Sequence, residues 1–223
     1  MADSHSPMSE APFTADPAAD ADDDVALMAA FAAGDVQAFE RLYERHEASL
    51  YRFVRRLLGR SAAEQADEVF QDTWMRVLQA RERYRAQGAQ FRTWLFTLAH
   101  HRAIDVLRRS GRERPLPEGD GDEEPFEPSG TPWADWPRPD EAIDNLVFWR
   151  RAGARLLDCL EQLPSVQRTT FLLHHEDGIG VDEIARALDV GFETAKSRLR
   201  YAMAKLRACM GAYLDASHLR AGP

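Results

Sequence analysis

The chain has little of what a cross-linked scaffold or a membrane protein needs. Only two cysteines, Cys159 and Cys209, occur in 223 residues, and neither stands in metal-type spacing with a histidine. That excludes a disulfide-dense scaffold and points to buried thiols in a reducing compartment. No run of about 18 apolar residues exists, so no membrane span is expected. The first 24 residues hold seven acids and no Lys or Arg, so the N-terminus lacks the cationic and apolar parts of a secretory signal. A cytoplasmic location is expected. A glycine-rich phosphate loop, a nucleophile elbow and a metal-spaced His/Cys/Glu set are also missing. Nothing therefore supports an enzyme, and no cofactor or metal is expected.

A core is available, since 44% of residues are hydrophobic. The net charge of −9 looks wrong for a partner of nucleic acid until it is divided along the chain. Residues 1–24 carry −7 and residues 110–145 carry −8, whereas residues 25–109 carry +4 and residues 146–223 carry +2. The acid sits in a tail and a linker, and two mildly basic blocks remain. Sign asymmetry between segments is the informative quantity here.

Residues 1–23 have almost no large apolar groups and are expected to be disordered. The first block, residues 24–110, reads as helical. Phe39, Leu42, Tyr43, His46, Leu50, Phe53, Val54, Leu57 and Leu58 recur at three and four, and Gly59 closes that helix. In the next helix Glu64, Glu68 and Asp72 align at i, i+4 and i+8 beside Asp67. Like charges at that spacing cost about 0.2–0.5 kcal/mol per pair, and only Asp72 has an evident cationic neighbour, Arg76. Such a ridge suits docking to a cationic partner.

Tyr84 lies in a polar link before FRTWLFTLAHHRAIDVLRR, residues 91–109. Aromatics interleaved with arginines suit single-stranded nucleic acid, where rings stack on bases and guanidinium groups hold phosphates. Trp94, Leu95 and Leu98 are expected mainly in the core, with Phe91 and the arginines better placed for contact. Residues 111–140 form an acidic, Pro- and Gly-rich linker carrying Trp133 and Trp136.

The second block, residues 141–214, ends in VDEIARALDVGFETAKSRLRYAMAKLR, residues 181–207, and residues 215–223 are expected to fray. Ile184, Ala185 and Leu188 give one short apolar stripe, and Asp189 to Phe192 interrupt it. Ala195, Leu199, Ala202 and Leu206 give the next. Thr194, Lys196, Ser197, Arg198, Arg200 and Tyr201 occupy the opposite face. A helix–turn–helix whose second helix carries cations and hydroxyls near its start fits the DNA major groove.

Taken in order, ADEVFQDTWMRV (66–77), FRTWLFTLAHHRAIDVLRR (91–109), LPSVQRTTFLLHHEDGIGVDEIARALDV (163–190) and ETAKSRLRYAMAKLR (193–207) resemble the sigma factors of bacterial RNA polymerase. The resemblance is to the compact extracytoplasmic-function (ECF) type, with regions two and four only. It implies an all-α fold of two small helical domains joined by the acidic linker, and promoter-specific initiation without catalysis. It further implies that Glu64, Asp67, Glu68 and Asp72 dock on the coiled coil of the polymerase β′ subunit. Tyr84, Phe91, Arg92, Trp94, His101, Arg102, Arg108 and Arg109 would melt and read the −10 element. Thr194, Lys196, Ser197, Arg198, Arg200 and Tyr201 would read the −35 duplex, with the second block also meeting the β flap. An anti-sigma protein, the tail or the linker are the candidates for holding such a protein silent.

Four departures from the pattern stand out. His100-His101 replace Arg-Asn, His174-His175 stand where charged or apolar residues are common, Asp189 replaces a helix-ending Gly, and Glu193 replaces a small cap. Adjacent histidines point about 100° apart on a helix and chelate poorly. The alternative reading is a freestanding helix–turn–helix regulator with an N-terminal helical sensor. Such a regulator has no use for an acidic ridge or a stacking helix, and no clean dimer seam is evident.

Overall fold

A computed structural model describes the backbone of residues 17–84, 90–113 and 143–218, and the side chains of residues 23–84, 90–113 and 149–211. Among the described residues eight α-helices follow one another: α1 (Pro17–Ala32), α2 (Val36–Leu58), α3 (Ala66–Ala80), α4 (Phe91–Arg109), α5 (Ile143–Gln162), α6 (Ser165–His175), α7 (Val181–Ala187) and α8 (Phe192–His218). A 3₁₀ segment, Arg60–Gln65, joins α2 to α3. No strand occurs among the described residues, and the fold is all-α as expected. Residues 114–140 of the linker, including Trp133 and Trp136, lie outside the described residues, as do residues 1–16.

In the first domain α2 is the axle, packed by α1, α3 and α4. Its entry is fixed by Asp35, whose carboxylate accepts from the amides of Gln37 at 3.0 Å and Ala38 at 3.4 Å. That is the N-cap chemistry that satisfies otherwise orphaned helix donors. Leu42, Leu50, Phe53, Val54 and Leu57 are fully buried, and Phe53 meets Phe96 of α4 at 5.1 Å. Against the tail reading, α1 begins at Pro17. It is held by a buried carboxylate, Asp24, which pairs with His46 Nε2 at 2.7 Å and Arg45 Nη1 at 2.6 Å. The apolar poverty of residues 17–23 hid the early start; the helix is held by this carboxylate together with the buried Leu27, Met28 and Phe31.

In the second domain α8 is the axle, packed by α5, α6 and α7. Ala195, Ala202 and Leu206 are buried as the stripe predicts, and Leu199 packs on the same core. Cys159 of α5 and Cys209 of α8 form a disulfide, with Cα atoms 6.0 Å apart. This overturns the expectation of two free thiols, and with it the cysteine argument for a reducing compartment. Fifty residues separate the pair in sequence, but α5 and α8 lie side by side.

The two domains pack directly on one another. Arg168 of α6 crosses the seam to donate to the carbonyl of Leu57 at 2.9 Å, and also donates to the carbonyls of Glu161 and Leu163. Gly59, at φ 70°, lets the Glu161 side chain approach. The Glu161 carboxylate accepts from the Arg60 amide at 2.8 Å.

Candidate nucleic-acid interface

The helix–turn–helix is built as its residues dictate. α7 ends in a left-handed residue, and that residue is Asp189, at φ 52°. Asp and Asn tolerate this region better than other side chains. Its neighbour Val190 donates back to the carbonyl of Ala185 at 2.9 Å, the bond that closes a helix C-terminus. Gly191 does not take the positive-φ role, so the replacement of Gly by Asp leaves the turn intact.

α8 then presents the expected −35 residues along one helix. Thr194 and Lys196 are exposed, while Ser197, Arg198, Arg200 and Tyr201 are partly covered. Ser197 donates to the carbonyl of Thr194 at 2.9 Å, and the Arg200 guanidinium lies over the Tyr201 ring at 5.3 Å. Burial lowers the pKa of Arg198, and its charge acts on His100 of α4.

The expected −10 residues divide differently. Phe91 is fully buried, against the expectation of a contact residue. Its ring meets His46, Tyr84 and Trp94 at 5.5, 5.9 and 5.8 Å. The helix starts at Phe91, and its first apolar residue plugs the domain rather than facing out. Trp94 is half-buried, its ring tilted against that of Tyr84 at 4.9 Å, and burial raises the Tyr84 pKa. Arg102 is also buried, at 8% exposure. Its Nη2 donates to Glu68 and its Nε to Asp72, both at 2.6 Å. The arginine expected on DNA therefore neutralises two members of the acidic ridge, and Asp72 has a cationic partner other than Arg76. His101, Arg108 and Arg109 remain exposed, with Arg108 paired to Glu113 at 2.8 Å.

The rest of the ridge faces outward. Glu64 lies 3.6 Å from Arg112, and Asp67 accepts from the Tyr51 hydroxyl at 2.7 Å. Glu64, Asp67 and Glu68 are all exposed.

Sequence reasoning missed the seam residues. Arg92 of α4 donates to buried Asp177 at 3.3 Å, and Arg56 pairs with Glu176. Burial pushes the Asp177 carboxyl up to about 7, against the pull of Arg92. His100 Nδ1 lies 3.1 Å from Thr169 Oγ1. Burial, then the charges of His101, Arg108 and Arg198, lower its pKa to about 3. His174 Nδ1 sits 3.0 Å from the Ile179 carbonyl. One histidine of each pair is thus engaged in a structural contact. No cluster of three metal-ligating side chains occurs among the described residues.

A two-domain helical protein with a helix–turn–helix at its C-terminal end is the class that the fold and surfaces define. Residues 42–113 match Sigma-70 region 2 and residues 153–206 match Sigma-70, region 4. The chain is 34% identical over 186 residues to the ECF RNA polymerase sigma factor SigL of Mycobacterium tuberculosis, covering 82% of this chain and 94% of that protein. It is 27% identical over 187 residues to ECF sigma factor SigK of Mycobacterium sp. (strain KMS), covering 83% and 89%. Among solved structures it resembles CnrH bound to the cytosolic domain of CnrY, with TM-score 0.59, 23% identity, and 85% and 98% coverage. It also resembles RpoE bound to the anti-sigma factor NepR from Bartonella quintana, with TM-score 0.56, 22% identity, and 79% and 98% coverage. The chain belongs to the ECF sigma factors. It is a transcription initiation factor of RNA polymerase rather than an enzyme.

Proposed function

We propose that this sigma factor binds core RNA polymerase in the cytoplasm and directs it to promoters by reading two separate DNA elements. The reading rests on one observation: a well-formed helix–turn–helix whose second helix starts with exposed side chains, carried beside a domain with an arginine-rich helix. α8 enters the major groove of the −35 duplex. On the first domain, Tyr84, Trp94, His101, Arg108 and Arg109 are the accessible candidates for the melted −10 strand. The exposed acids Glu64, Asp67 and Glu68 dock on the β′ coiled coil, and the second domain meets the β flap. No helix among the described residues is long and apolar enough to cross a membrane.

In this reading the seam made by the Arg92–Asp177, Arg56–Glu176 and Arg168–Leu57 contacts opens when polymerase and promoter are engaged. Arg92, paired with Asp177 in the closed form, is released only then. The closed form is the one an anti-sigma partner would hold.

The test is in vitro transcription with purified core polymerase and genomic fragments. Initiation from a discrete set of fragments, dependent on this chain, is expected. Failure to join the polymerase, or joining it and starting no transcripts, removes the proposal.

A further inference from the structure

Phe192 opens α8 and falls three, seven and ten residues before Ala195, Leu199 and Ala202. Helical spacing thus assigns it to the stripe that those residues bury. Yet Phe192 is 49% exposed, and it is absent from the set of side chains packed on the core. The core stops short of the tip of α8, and the ring overhangs it. The neighbours Gly191, Glu193 and Thr194 are exposed as well. Lys196, one turn on, is 60% exposed and only loosely paired with Glu193, at 3.9 Å. The first turn of α8 therefore stays open in the closed molecule, while Arg198 further along does not.

N-terminal residues of a recognition helix are the ones that meet base edges in the major groove. A phenyl ring there offers no hydrogen bond. Its apolar complement on a base-pair edge in that groove is the thymine 5-methyl group. We propose that Phe192 is a specificity-determining residue that reads thymine through its 5-methyl group in the −35 duplex. The inference rests on the promoter-reading function above and adds what this position selects. A surrounding fringe of phosphate-binding groups, Lys196 among them, would hold the helix in register.

The experiment uses the full chain assembled with core polymerase. A duplex library randomised across the −35 region first yields the preferred sequence. Each thymine of that duplex is then replaced by deoxyuridine, which removes the methyl group and nothing else. The wild-type holoenzyme should lose about fourfold in affinity at one or two thymines, the factor carried by one methyl-sized apolar group taken from water. With Phe192→Ala, binding to the thymine duplex weakens and the same deoxyuridine substitutions change nothing. Phe192→Leu should retain part of the sensitivity.

Three results would overturn the inference alone: a preferred −35 sequence without thymine near the start of α8, a wild-type holoenzyme indifferent to deoxyuridine, or a Phe192→Ala holoenzyme that remains as sensitive as wild type. Loss of core-polymerase binding by Phe192→Ala in the absence of DNA would assign the ring to a protein contact and also sink it. A holoenzyme with no −35 preference at all would remove the promoter-reading function and this inference together.

Discussion

Nε of Arg102 lies 2.6 Å from Oδ2 of Asp72, so the helix expected to hold DNA and the ridge expected to hold polymerase are wired to each other. The same guanidinium binds Glu68. Two like charges one helical turn apart repel, and a cation between them turns that repulsion into attraction. The ridge therefore has a structural half, Asp72, and an outward half, Glu64 and Asp67.

That division separates folding from docking. Asp72→Ala leaves the nearly buried Arg102 short of a partner, and should cost about 1–3 kcal/mol in a urea melt. Glu64→Lys with Asp67→Lys touches only exposed groups, so stability should move by no more than about 0.5 kcal/mol. Core-polymerase binding should nevertheless be lost. If pull-down with core polymerase is unchanged in the double variant, the ridge is not the docking surface.

The disulfide between Cys159 and Cys209 closes a long loop that takes in α6, α7 and the turn into α8. Cross-links of this span stabilise by about 2–4 kcal/mol, chiefly by restricting the unfolded chain. Reduction, or Cys159→Ser with Cys209→Ser, should lower the stability of the second domain by that amount. The first domain, which contains neither cysteine, should keep its own transition. Denaturant titrations with and without a thiol reductant, followed by fluorescence, measure this. An unchanged transition in the reduced protein would show that the bond adds nothing to the packing of α5 on α8.

What the sequence made legible was whatever recurs with a helical period. The stripes of α2 and α8, the turn at Asp189 and the order of the two domains are all readable, because each is local. The connections across the chain were not. Phe91 and Arg102 have the composition of a nucleic-acid surface, yet both turn inward. Their partners, His46 for one and Glu68 and Asp72 for the other, lie many residues away. The same is true of Cys159 and Cys209, and of Arg168, whose acceptor is the Leu57 carbonyl in the other domain. A periodicity argument places a side chain on a face. It does not say which distant element covers that face, nor, as Phe192 shows, where the cover ends.

Asp177 and His100 sit at one seam and titrate in opposite senses. The Asp177 carboxyl is raised to about 7, so its contribution is full below the ordinary carboxylate range and is lost as pH rises toward 7. His100 is lowered to about 3; its contribution is full above the ordinary imidazole range and is lost as pH falls below it. Between about pH 4 and 6.5 the two slopes offset each other. Asp177→Asn should remove one of them, leaving a protein whose melting temperature falls by about 5 °C on acidification from pH 6.5 to 4.5, against a flatter wild-type profile. Thermal melts at several pH values check this, and parallel profiles would show that Asp177 is not coupled to the seam in that range.

Arg198 offers the sharpest separation of base reading from phosphate binding on α8. Its side chain is half-covered, and burial lowers its pKa. A guanidinium reaching a guanine edge makes two hydrogen bonds that other bases cannot reproduce. Arg198→Ala should then cost about 1–3 kcal/mol at one −35 position while leaving discrimination elsewhere intact. Lys196→Ala, on an exposed side chain, should instead weaken all duplexes alike and reduce the dependence of binding on salt by about one counterion. Binding measured across single-base variants of the −35 duplex, at two salt concentrations, distinguishes the two roles. A uniform loss for Arg198→Ala would move it into the phosphate class and leave base discrimination to the first turn of the helix.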